Sequence, residues 1–194
     1  MGSSSNFGNM FSVLGASIFL PFLPMKPIQL IFNNFLYDFA NISVTTDNVD
    51  AEALNKPAKW DLENVKNFMI YVGPISSIFD YLTYFTLYFV LAVPEGVFQA
   101  GWFIESIMTQ TLIIYVIRTN RIPFIQSRPS KELIITTLAI LAVALFVVLT
   151  PVRQYFGFGV LPSIFWPVLA GFIIAYLALT YFIKKWLVGK KIIS

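Results

Sequence analysis

The chain has 194 residues, of which 57% are hydrophobic, 17% aromatic and only 12% charged, with a formal net charge of +3 and a mean hydropathy of +0.74. Soluble domains carry about 25% charged residues, so the composition excludes an ordinary soluble domain and predicts an integral membrane protein. Cysteine and histidine are both absent, which excludes disulfides, thiolate metal sites, the commonest transition-metal ligand and the usual catalytic base, and leaves metal chemistry to oxygen.

No basic segment precedes the first apolar run, so no cleavable signal peptide is predicted. Asn6 also stands where a myristoylation signal needs Ser or Thr. A membrane span needs about 20 mostly apolar residues. Hydropathy divides the chain into six such spans, at 6–22, 25–41, 67–92, 98–118, 132–150 and 160–183. The predicted fold is an all-α membrane protein, one domain built as a bundle of six transmembrane helices. The first two spans are short, interrupted by Pro21, Pro24 and Pro27, and carry most of the polar residues. Such broken helices persist only against a cavity or other protein.

In the first span Asn6 and Asn9 are three residues apart and share a helix face, with Gly8 between them allowing another backbone or an ion to come close. In the second, Asn34 and Asp38 are four apart, again on one face. Asn33 points about 100° away and reads as a packing or hydrogen-bonding residue. The hydrophilic stretch 42–66 reads either as a docking surface for a cytoplasmic domain or as a solvated connector. Asp80, in the third span, follows Ser76 and Ser77 by four and three residues and so lies on a polar stripe. Tyr81, Tyr84, Phe85, Tyr88 and Phe89 read as lipid-facing or packing residues. The fourth span contributes Glu105 and Gln110. Glu105, about seven residues into that span, reads either as part of a polar centre or as a solvated group at the outer interface. A lone Gln in a membrane helix is ordinarily an interhelical hydrogen bond. The last two spans have no ionisable residue in their apolar core and read as scaffold, with Trp166 and Trp186 as interfacial anchors.

An ionised carboxylate at membrane depth costs at least about 2.5 kcal/mol and is kept beside a cation, a proton path or a water-filled cavity. Asp38 and Asp80 therefore predict an ion pathway, and the surrounding amides and carboxylates offer the oxygen ligands that magnesium and calcium prefer. Of the 13 Lys and Arg residues, only Lys26 and Arg153 fall on one side of the six-span arrangement. The other side holds the 42–66 and 118–131 loops and the C-terminal tail, and the positive-inside rule places it, with both termini, in the cytoplasm. No Gly-rich phosphate loop, hydrolase motif or internal repeat is present. The expected partners are the lipid bilayer and a metal ion, and no nucleic acid.

Ser4-Ser5-Asn6-Phe7-Gly8-Asn9, then Phe22-Leu23-Pro24, then Asn34-Phe35-Leu36-Tyr37-Asp38 resemble the fifth and sixth membrane helices of P-type cation ATPases. Further stretches resemble the bacterial magnesium-transporting members: Phe7–Leu14, Asp47–Asp50, Gly73–Asp80, Gly101–Phe103, Thr109–Leu112, and Arg118–Thr119 with Ile122–Arg128. The resemblance covers essentially the whole chain. It implies the C-terminal membrane half, helices five to ten, of a ten-helix pump in the bacterial inner membrane, with an orientation that agrees with the charge count. By motif, Asn6, Asn9, Asn34 and Asp38 occupy cation-site positions. Gln110 falls where calcium pumps have an acid in their eighth helix, and Asn9 replaces a glutamate of those pumps. Two carboxylates thereby become amides, which fits one partly hydrated Mg2+ better than calcium. The implied mechanism is alternating access driven by aspartyl phosphorylation, with Mg2+ moved into the cytoplasm. The phosphorylation motif, the ATP-binding and actuator domains and helices one to four are not in this sequence, so they are expected partners, and ATP is expected only in those domains. Two other readings stand beside it: an independent six-helix cation channel or secondary transporter, and a regulatory remnant that associates with a full pump.

Overall fold

A computed structural model describes residues 2–48, 62–119 and 121–190, leaving aside the side chains of 2–8, 62–69 and 72. The side chain of Asn6, and residues 49–61 of the expected hydrophilic stretch, lie outside the described residues. Among the described residues the fold is all α: α1 (Gly2–Phe19), α2 (Pro27–Ser43), α3 (Leu62–Phe85), α4 (Glu95–Ile117), α5 (Lys131–Leu149) and α6 (Phe165–Gly189). The three prolines expected to interrupt the first two spans fall in the connector and at its exit. Pro27 opens α2, where its missing N–H is no loss, and the Gln29 side chain accepts the backbone N–H of Lys26 at 2.7 Å. A proline not singled out in the sequence, Pro74, lies inside α3.

The third helix ends in a wider turn. Thr86–Val90 is π-helical, closed by the Leu91 N–H on the Thr86 carbonyl at 2.8 Å, and Ala92 then takes a φ of 46°. Pro94 follows and α4 begins. Ser130 caps α5 by accepting the N–H of Leu133 at 3.1 Å.

Helix α4 is the axis of the bundle, packed by α2, α3, α5 and α6, while α1 lies against α3. Three helices are long and apolar enough to cross a membrane by length and composition: α4, α5 and α6. Of their most apolar stretches, 83% is buried in α4 but only 17% in α6. The order follows from the sequence in a way opposite to a soluble protein. Gln99, Glu105, Ser106, Thr109, Gln110 and Thr111 all lie on α4 and all are buried, because in lipid it is polar groups that must be enclosed. Ile18, Ile135, Phe146, Ile174 and Phe182 are more than half exposed, as residues facing acyl chains can be.

Both ends of α4 are tied down. At the start, Gln99 donates to the Leu23 carbonyl at 2.9 Å and to Glu95 at 2.9 Å. At the end, the Lys184 ammonium from α6 donates to the carbonyls of Val116, Ile117 and Thr119 at 3.1, 2.8 and 2.7 Å. These are carbonyls a helix C-terminus leaves without intrahelical partners, and a cation there also suits the helix dipole. Beside them Arg118 forms a buried ion pair with Asp47. It also donates to Ser127, to the carbonyl of Asn48 and to the carbonyl of Arg128.

A buried polar centre between four helices

The polar residues of α1, α2, α3 and α4 converge in two adjoining layers. In the first, Asp80 of α3 is 4% exposed and each of its oxygens has a donor: Ser12 of α1 on Oδ2 at 2.5 Å and the Trp102 indole of α4 on Oδ1 at 2.8 Å. One turn beyond Trp102, Glu105 is 1% exposed, and its carboxyl lies close enough to that of Asp80 for the two charges to interact. No Lys or Arg forms an ion pair with either acid among the described residues. Two neighbouring acids enclosed without a basic partner repel each other, and a cation between them relieves that repulsion.

In the second layer Gln110 donates from one amide nitrogen to Asn9 Oδ1 at 3.0 Å and to Ser106 Oγ at 2.8 Å. Asn33 of α2 reaches the same hydroxyl at 3.4 Å. The amide nitrogens of Gln110 and Asn33 are therefore used while their oxygens are not. Asn33 Oδ1, Gln110 Oε1 and Glu105 Oε2 are buried with no hydrogen-bond partner. Leaving such an acceptor bare costs roughly 1–3 kcal/mol, and three around one seam point to an occupant that supplies positive charge or protons.

The donor set has a definite chemistry. Among the described residues no three acidic side chains gather as a metal cage. The seam instead offers two carboxyls, amide oxygens and hydroxyls, which suits Mg2+: it dehydrates reluctantly, keeps several waters and takes one or two carboxylates.

The sequence-predicted residues divide between this seam and another face. Asp80, Glu105, Gln110 and Asn9 meet in it. Glu105 is not solvated: it is 1% exposed and lies about 15 Å along the helix axis from the start of α4 at Glu95. Asn34 and Asp38 do share a helix face. That face turns away from α4, with Asn34 half-buried and Asp38 exposed beside Ile31, Phe35 and Ile42. It is Asn33 that faces the seam and makes a hydrogen bond there, in keeping with its expected hydrogen-bonding role. Ser12, Trp102 and Ser106 were not singled out in the sequence as parts of a polar centre. The signal for two of them is the spacing Trp102, Glu105, Ser106, Gln110, which places all four along one side of a helix.

Fold and centre together define a class, a polytopic α-helical membrane bundle with an acidic, oxygen-rich interior. Sequence comparison makes the class specific. The family described as "Cation transporting ATPase, C-terminus" matches residues 22–186. The chain is 41% identical over 194 residues to the "Magnesium-transporting ATPase, P-type 1" of Salmonella typhimurium strain LT2, covering 98% of this chain. It is 44% identical over 188 residues to the protein of that name from Escherichia coli K12, covering 95% of this chain. The chain belongs to the cation-transporting ATPase C-terminal family. It spans 21% of the length of these relatives.

Proposed function

We propose that this chain is the ion-binding membrane part of an ATP-driven magnesium importer, and that the seam between α1, α2, α3 and α4 holds the translocated Mg2+. The observation that carries the reading is the adjoining pair Asp80 and Glu105 beside three buried, unpaired oxygens. In this reading Asp80 and Glu105 neutralise the ion, Gln110, Asn9 and Asn33 supply amide oxygens, and retained waters complete an octahedral shell. Asn34 and Asp38 form a second station, to which the resemblance to P-type pumps adds Asn6 by motif. It opens toward the part of the pump that lies outside this chain, helices one to four. ATP binding and aspartyl phosphorylation belong to cytoplasmic domains of that same full-length protein. The charge asymmetry supports an inner-membrane orientation with both ends of the chain in the cytoplasm.

Ligand binding to the folded state raises stability by mass action, by about 2.7 kcal/mol at a hundredfold excess over Kd. Magnesium should therefore raise the unfolding temperature of the detergent-solubilised full-length protein. Glu105→Gln should abolish most of that shift while leaving the magnesium-free midpoint near the parent value. A shift of unchanged size in Glu105→Gln would remove Glu105 from the site.

A further inference from the structure

The ring of Tyr84 lies at the junction of α1, α3 and α4, the three helices whose side chains meet at Asp80. Tyr84 follows Asp80 by four residues on α3, so it shares that helix face and sits about 6 Å further along the axis. The Trp102 indole of α4 meets the ring edge-on at 5.1 Å, with Phe98 of α4 at 5.3 Å and Phe19 of α1 at 6.5 Å between centroids. Of the two roles the sequence leaves open for Tyr84, lipid-facing or packing, the ring takes the second, since the residue is fully buried.

Packing does not account for the hydroxyl. It is buried with no hydrogen-bond partner, and it is close enough to both Asp80 and Glu105 for their charges to reach it. A phenylalanine would fill the same space without the cost of a bare buried hydroxyl. The hydroxyls of Thr83, Thr111 and Thr180 are also buried and unpaired, but a threonine on a helix can turn its hydroxyl to a carbonyl one turn back. Tyrosine has no such recourse, because its hydroxyl stands at the far end of a rigid ring, and here that ring is held by aromatic neighbours from two other helices. Tyr81, three residues earlier, shows the ordinary alternative: its hydroxyl donates to the Phe11 carbonyl at 2.8 Å.

We propose that the Tyr84 hydroxyl is a specificity-determining group of the ion seam, accepting a hydrogen bond from a water that Mg2+ keeps while Asp80 and Glu105 neutralise its charge. Water on a divalent cation is polarised and donates strongly, and an oxygen at the edge of the seam with nothing to accept is the partner such a donor needs. Mg2+ sheds its waters reluctantly, whereas Ca2+ takes more protein oxygens in a looser geometry. A contact made through retained water therefore favours the smaller ion. The two acids attract either cation, and Tyr84 separates them.

This role rests on the reading of the seam as the magnesium site, and one titration separates the two. The detergent-solubilised full-length protein is titrated with MgCl2 and, separately, with CaCl2, without nucleotide, and apparent affinity is read from the rise in unfolding temperature. Tyr84→Phe keeps the ring and removes a bare buried hydroxyl, so its magnesium-free midpoint should equal or exceed that of the parent. Its apparent Mg2+ affinity should fall by about five- to tenfold, the worth of one hydrogen bond, while its Ca2+ affinity changes by less than about twofold. Tyr81→Phe, which removes a hydroxyl already committed to a backbone carbonyl, should leave both affinities at the parent values. Unchanged Mg2+ affinity in Tyr84→Phe, or an equal loss for the two ions, would overturn the role of Tyr84 and leave the seam standing, provided Glu105→Gln abolishes the magnesium shift. A magnesium shift that Glu105→Gln leaves intact would overturn both.

Discussion

Trp102 donates its indole N–H to Asp80 at 2.8 Å while Ser12 donates to the other carboxyl oxygen at 2.5 Å, so both lone-pair faces of a buried acid are oriented by groups from two different helices. The indole also carries packing weight, with the Tyr84 ring edge-on at 5.1 Å. Trp102→Phe keeps most of that surface and removes one charge-facing donor. It should destabilise the protein by about 1–3 kcal/mol, read as a lowered unfolding temperature in detergent, with a larger loss of magnesium stabilisation than the equivalent change at a lipid-facing ring. This donor was hard to see in the sequence because Trp102 and Asp80 lie on different helices, and nothing local in either segment sets their register. Glu105 was hard to place between its two readings for a different reason. Its depth depends on where α4 starts, and Pro94 and Glu95 begin the helix three residues before the apolar pattern does.

At the level of elements, α2 shows how narrow a margin separates two readings. Neighbouring positions on a helix differ by about 100°, so the choice between Asn33 and Asn34 as the seam residue is the choice of which face packs on α4. Periodicity shows that Asn34 and Asp38 share a face, and leaves open which neighbour that face meets. The helices themselves were legible: long apolar segments, proline-marked ends and polar residues concentrated in the fourth span suffice to order them. The contacts at the exits of α2 and α4 were less so. Arg118 and Asp47 are separated by 71 positions, yet their buried pair joins the exit of α2 to the exit of α4, and Asp47 also accepts the N–H of Ser130 at 2.8 Å, holding the entry of α5. Removing one partner of a buried pair strands the other charge and typically costs 3–5 kcal/mol. Asp47→Asn should therefore lower the unfolding midpoint markedly, and more than Lys26→Ala, whose contact with Glu95 is half-exposed and 4.0 Å long and belongs to the class worth about 0–1 kcal/mol.

For the molecule as a whole, α1 and α2 carry large apolar side chains that the rest of the chain leaves exposed. Met10, Phe11, Leu14 and Ile18 on α1 and Ile31, Phe35 and Phe39 on α2 are exposed, with the exposed Asp38 and the half-buried Asn34 beside the latter, and the chain spans 21% of its relatives' length. Asp38 is exposed, and among the described residues no ion pair holds it. Asp38→Ala should leave the unfolding midpoint within about 0.5 kcal/mol of the parent yet lower magnesium uptake by the full-length protein, a split that a purely structural residue would not give.

The central claim is that the buried acids hold the transported ion. It is tested most directly by ATP-driven magnesium uptake into liposomes carrying the full-length protein, comparing the parent with Asp80→Asn/Glu105→Gln, both verified as folded and monodisperse. The account predicts that the double variant loses uptake. Undiminished uptake by that variant would contradict it.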